Sequence, residues 1–189
     1  MKKIVVYPSP ILRKETEEIK KVTQELEEQI ENVKEILMKT DNGAGLAAPQ
    51  IGEAMRFFGL KSHKEESVRI FINPRIINVY GERVYPKLVD DKGNEEDFLE
   101  GCLSFPDYFG TVKRFLKVDV EWEEIEDGKL TPKKATLKGL DAIVFQHERD
   151  HLDGILFVDY IKEEGGKFYK QMPKKMAVWS VDKVINGEL

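Results

Sequence analysis

One cysteine and three histidines are the only side chains of their kinds in this chain of 189 residues. A lone Cys102 excludes an internal disulfide and agrees with a reducing compartment. No apolar run approaches the ~20 residues that a membrane span needs. The opening MKKIVVYPSP is broken by Pro8 and Pro10 before it reaches signal-peptide length, so the expected location is the cytoplasm. An excess of positive charge is missing too. The net charge of -5 excludes general attraction to nucleic acid or anionic lipid, and no direct DNA binding or membrane association is expected. No Pro/Ser/Gly-rich linker divides the chain, which predicts one domain over residues 1–189.

What is present begins with YPSPILRKETEEI, where prolines resist regular structure and an extended arm over the surface is expected. From about Thr23 to Lys39, Leu26, Ile30, Val33 and Leu37 recur at helical spacing, with Thr23 as N-cap and Asn42-Gly43 as the stop. The following GAGLAAPQIG, residues 43–52, reads as a tight loop. Gly43 and Gly45 permit a sharp turn or a close backbone approach to a ligand, although taken by itself the stretch is better read as a plain connecting loop. Residues 55–60 and 68–80 are β-rich, the second run interrupted at Asn73-Pro74, with His63 in a polar turn between them. The acidic segment 81–98 predicts a mobile flap or a projecting hairpin, with Gly93-Asn94 as the turn. Leu116, Val118, Val120 and Trp122 alternate with charged residues, so a half-buried antiparallel strand turns at Asp127-Gly128 and returns over 130–137. Pro173 is placed to open a short final helix, and the lysines around it read as a solvated face. The fold class is therefore α+β, with mostly antiparallel sheets packed around a central helix.

That helix carries QHERDHLDG, residues 146–154. His147 and His151 are four residues apart, so both rings leave one helix face and can grip one cation. Glu148 stands beside them, where a carboxylate can take a proton from a bound water. Leu140, Ile143 and Val144 lie on the same stripe and form an apolar floor suited to an apolar substrate side chain, while Ala142, Phe145 and Leu152 form the opposite face. A catalytic site of this type needs a third protein ligand and an open position. Cys102 in EGCLS, between the small Gly101 and Ser104, is the candidate, against the alternative of an inert buried thiol. The donor list alone suggests zinc.

Taken together, GAGLAAPQIG, EGCLSFP and QHERDHLDG resemble the three characteristic motifs of the peptide deformylases, in order and with suitable separation. The resemblance implies that Cys102, His147 and His151 hold one divalent metal, ferrous iron in the cell, with zinc, nickel or cobalt as replacements. It implies removal of the N-formyl group from N-formylmethionyl nascent polypeptides, with release of formate. Glu148 would then be the proton carrier, and the Gln50 side-chain amide and Leu103 N–H the oxyanion donors. The substrate would lie extended against Gly43, Ala44, Gly45 and Gly101, its methionine on Leu140, Ile143 and Val144 with Phe98 and Glu100 at the edge. A transient ribosome contact also belongs to the family, but the tail here is not the long basic helix by which some members dock. Phe109 stands where some members carry an arginine. Arg114 is expected to pair with Asp150 behind the metal helix. Two other readings are an HExxH zinc endopeptidase and a deformylase-like binding protein without activity. The Cys102 ligand speaks against the first, and the retained Glu148 and Gln50 against the second.

Overall fold

The computed structural model describes residues 2–41, 43–61 and 67–187; Asn42 and His63, singled out above, lie outside them. α1 (Gln24–Lys39) begins where Thr23 Oγ1 accepts from Leu26 N at 3.1 Å, as the sequence predicts. The motif GAGLAAPQIG is not a featureless loop. Residues 45–47 form β1 (Gly45–Ala47), and Ala48–Ile51 form a 3-10 turn that Pro49 suits through its fixed φ. β2 (Phe57–Lys61) and β3 (Val68–Val79) follow, the latter with a register shift beside Asn73, whose φ is +49°. β8 (Lys117–Glu126) and β9 (Lys129–Lys138) complete a five-stranded sheet in the order β1-β2-β3-β8-β9, paired antiparallel throughout. Leu116 stops short of β8 and is exposed, so the expected alternation begins two residues later at Val118.

Between β3 and β8 run β4 (Lys87–Val89), β5 (Glu95–Asp97), β6 (Glu100–Cys102) and β7 (Phe105–Gly110). β4 and β5 are the acidic hairpin. Its turn spans residues 90–94, because the Asp90 carboxylate accepts from the backbone of Lys92 and Asn94, and Gly93 takes φ +83°. α2 (Leu140–Leu152) and α3 (Phe157–Glu164) precede β10 (Phe168–Met172), β11 (Lys175–Val178) and α4 (Val181–Ile185). The second sheet runs β11-β10-β7-β6. Pro173 therefore opens no helix: it occupies the two-residue turn between β10 and β11, and the last helix starts after Ser180.

Side-chain alternation explains the layering. Leu46, Phe57 and Ile72 leave one face of the large sheet toward α1, while Ala47, Phe58 and Phe71 leave the other toward Ala142, Phe145 and Leu152 of α2. The α2 helix is thus held against a sheet on one side, leaving its histidine side for the second sheet and α3. The N-terminal arm does more than wrap the surface, since Leu12 is fully buried among Phe105, Tyr108 and Phe157. No helix among the described residues is long and apolar enough to cross a membrane.

Candidate metal centre and adjoining pocket

α2 enters from Gly139, whose φ of +56° a side chain would resist, and presents His147, Glu148 and His151 away from the aromatic packing at Phe145. The two imidazole rings are 5.1 Å apart between centroids. β6 brings Cys102 across to them from another part of the chain. Its Sγ lies 3.2 Å from His151 Nε2, and one donor atom from each of Cys102, His147 and His151 falls within 4.8 Å of the others. One thiolate and two imidazoles converging in this way suit a divalent transition metal with a position left open.

The orientation of His147 is set from behind. Its Nδ1 lies 2.9 Å from Glu100 Oε2, which leaves Nε2 turned toward the other donors. Glu100 is itself gripped in two places by Arg114, Nε to Oε1 at 2.7 Å and Nη2 to Oε2 at 2.9 Å, and Arg114 Nη1 reaches Asp150 at 2.5 Å. All three are buried, and the Arg114 guanidinium also faces the Tyr160 ring at 5.0 Å. The Arg114–Asp150 pair expected from sequence is present. Glu100, expected at the edge of the substrate pocket, does line the cavity, but its carboxylate is committed to Arg114 and His147. Neither that commitment nor Tyr160 left a spacing signal, because the partners come from separate loops and elements.

Burial alone would raise the Glu100 carboxyl, but the adjacent Arg114 outweighs it and holds the group at about 2. Asp150 has only one contact to Arg114, and there burial prevails and its pKa is raised. Burial pulls His147 down, yet Cys102, Glu100 and Glu148 carry it well above its usual value; His151 is driven well below by burial and by the charges of His147 and Arg114. A divalent cation among the donors would invert this local balance.

Glu148 differs from the other acids. It is buried, its Oε2 has no hydrogen-bond partner among the described residues, and burial pushes its pKa up to about 7. Gly45 lies directly against it: a Cβ on Gly45 would stand 2.5 Å from Glu148 Oε1. The second glycine of GAGLAAPQIG thus makes room for the carboxylate of a different motif. Gln50 projects from the 3-10 turn with its Oε1 accepting from Ala47 N at 2.8 Å, which fixes the amide so that Nε2 points to Ser104 Oγ (3.2 Å) and Cys102 Sγ (3.5 Å). Leu103 sits in the turn between β6 and β7.

These groups open into a cavity of about 440 Å³. Gly43, Ala44 and Gly45 form one wall, Phe98, Glu100 and Gly101 another, and Leu140, Ile143 and Val144 of α2 contribute the apolar stripe. Gln50, Cys102, Leu103, His147 and Glu148 line it as well. Sequence reasoning missed Phe105 and Tyr108, which are three residues apart on β7 and so left no strand-period signal. Phe109 stands opposite Gly101, where a Cβ would come 2.8 Å from its ring. A larger hollow of about 650 Å³ lies between α1 and β3, lined by Ile30 and Arg69 among others, but none of the candidate ligands or proton carriers opens into it.

Comparison with known proteins shows the family. The profile of the family described as polypeptide deformylase matches residues 1–167. The chain belongs to that family. A peptide deformylase of Desulfotalea psychrophila is 35% identical over 173 residues, covering 92% of this chain and 95% of the relative. Peptide deformylase 2 of Vibrio vulnificus is 38% identical over 160 residues, 84% of each chain. Among solved structures, the deformylase of Thermotoga maritima superposes with a TM-score of 0.69 at 34% identity, covering 85% of this chain and 97% of its own. The Plasmodium falciparum deformylase gives 0.70 at 34% identity, with 86% and 90% covered. The family match ends just before β10, so the β10–β11 hairpin and α4 lie beyond it.

Proposed function

We propose that this chain is a metal-dependent peptide deformylase, one catalytic domain over residues 1–189 that hydrolyses the N-formyl group from the formylmethionine of newly made polypeptides. The observation that carries the reading is the meeting of a Cys102/His147/His151 donor set, an unpartnered Glu148 carboxyl and the Gln50 amide at one end of an apolar cavity. A divalent ion held by the three donors supplies Lewis acidity toward the formyl carbonyl and lowers the pKa of water. We assign ferrous iron to the cell, with zinc, nickel or cobalt able to replace it.

Glu148, with its carboxyl near 7, is suited both to accept the proton of the attacking water and to return it to the departing amine nitrogen. The formyl C–N bond breaks, water supplies the new oxygen, and formate and a free N-terminal amine result. Gln50 Nε2 and the Leu103 N–H donate to the carbonyl oxygen as it gains charge, each of a kind worth about 3 to 4 kcal/mol elsewhere. The methionine side chain occupies the apolar stripe of Leu140, Ile143 and Val144, with Phe98 beside it. β1 and β6 are both sheet-edge strands lining the cavity, so an extended peptide can add between Ala44 or Gly45 and Gly101. Work in the cytoplasm on nascent chains, with transient ribosome contact, fits this role.

The test is formate release from formyl-Met-Ala-Ser by anaerobically prepared, iron-loaded protein. Cleavage of internal peptide bonds, or no turnover with metal bound, would overturn the reading. Glu148→Ala is expected to keep its metal and lose nearly all turnover.

A further inference from the structure

The three motifs meet at the cavity, but they reach it from separate parts of the fold. β1 and the 3-10 turn bearing Gln50 sit at one edge of the five-stranded sheet, β6 at the edge of the four-stranded sheet, and His147 and His151 on α2. No strand pairing among the described residues joins β1 to β6. One segment bonds to all three. Val5 N donates to Gln50 O at 2.8 Å, Tyr7 N to Ser104 O at 2.9 Å, and Thr16 N to Leu152 O at 2.8 Å, with Thr16 Oγ1 on the same carbonyl at 2.9 Å.

In extended chain the N–H groups of residues i and i+2 point the same way. The arm therefore offers Val5 and Tyr7 as two donors on one side, and their acceptors are the carbonyls of Gln50 and Ser104. That brings Gln50 beside the second motif, where its amide meets Ser104 Oγ and Cys102 Sγ. The arm is anchored from Tyr7 onward: the Tyr7 ring stacks on Phe105 at 4.9 Å, its hydroxyl donates to Ile185 O, and Arg13 backbone packs so tightly on Gly154 that a Cβ there would lie 2.5 Å from Arg13 O.

We propose that the N-terminal arm is a positioning strap for the reaction centre: the backbone N–H groups of Val5 and Tyr7 set the spacing between Gln50 and the turn at 102–104. Neither residue touches the reacting atoms. Both act through Gln50 and Leu103, whose donors must meet the developing oxyanion within a fraction of an ångström. The inference rests on the deformylase reading for its kinetic arm only.

Val5→Pro removes one N–H from an extended segment that tolerates proline, and Val5→Ala keeps it while trimming the side chain. In metal-loaded full-length protein, Val5→Pro is expected to lower kcat about 10- to 100-fold with KM and metal content within about twofold of the parent, while Val5→Ala stays near the parent in all three. The Gln50 side-chain amide resonances give the same answer without turnover, shifting in Val5→Pro and holding still in Val5→Ala. Parental kcat in Val5→Pro, an equal loss in Val5→Ala, or unmoved Gln50 resonances would overturn the strap. If Val5→Pro loses its far-ultraviolet circular dichroism, deletion of residues 2–5 replaces it with the same readouts and the same outcomes. A parent enzyme that releases no formate, with Gln50 resonances still shifted by Val5→Pro, would sink the deformylase reading and leave the strap standing.

Discussion

Gly45→Ala is the sharpest test of how the motifs depend on one another. The residue lies in β1 and has no positive φ, so alanine brings no backbone strain. The whole effect must come from one methyl group. It would stand 2.5 Å from Glu148 Oε1, 2.6 Å from Cγ and 2.7 Å from Cδ, against an ordinary contact of about 3.5 Å. Glu148 or β1 must therefore yield by about 1 Å, and a displacement of that size at a reacting group costs about 100-fold in rate, or about 2.7 kcal/mol of activation free energy. Glu148 is itself buried, which limits where its carboxylate can move. The assay is steady-state formate release by metal-loaded protein, with bound metal counted in parallel. The expected result is a kcat near one hundredth of the parent's with metal content unchanged, since the three atoms nearest the added methyl all belong to Glu148 and none to Cys102, His147 or His151. A kcat within about twofold of the parent would refute the argument that Gly45 is glycine for the sake of Glu148.

Arg114→Ala leaves Glu100 and Asp150 buried without their cation; stability should fall by about 3 to 5 kcal/mol, lowering Tm by roughly 10 °C, and an unchanged melting curve would show that the pair contributes nothing. The Asp97 carboxyl is held at about 2 by its hydrogen bonds to Lys167 and Lys87. Because that value is depressed, the hairpin tie is fully present above the ordinary 3.8 and is lost as pH falls through about 2. Carboxyl NMR should place the Asp97 midpoint well below 3.8; a midpoint at the ordinary value would mean the lysines do not engage it in solution.

Periodicity made the local elements readable. Histidines at i and i+4 define one helix face whatever the rest of the chain does, and strict alternation at Val118, Val120 and Trp122 defines one sheet face. Boundaries suffered where one residue type serves two structures. Pro173 suits a first helical turn and a hairpin turn equally, and only the pairing of β10 with β11 decided between them. The Gly/Ala-rich run of residues 43–52 likewise shows no period, and two of its residues answer to neighbours from elsewhere: Gly45 to Glu148, and Gln50 to Ser104 and to the arm.

The amino-acid sequence by itself therefore determined the metal helix, the α+β class, the capped first helix and, through three motifs, the family. Tertiary structure decided the rest. It brought the candidate Cys102 to within 3.2 Å of His151, 49 residues away in the chain, and it added Glu100 to the expected Arg114–Asp150 pair. It also let an arm at the far N-terminus bond to the carbonyls of Gln50 and Ser104. The reason is physical: short-range periodicity fixes which face a side chain leaves, whereas contacts across loops depend on how separate sheets and helices pack, and no spacing records that.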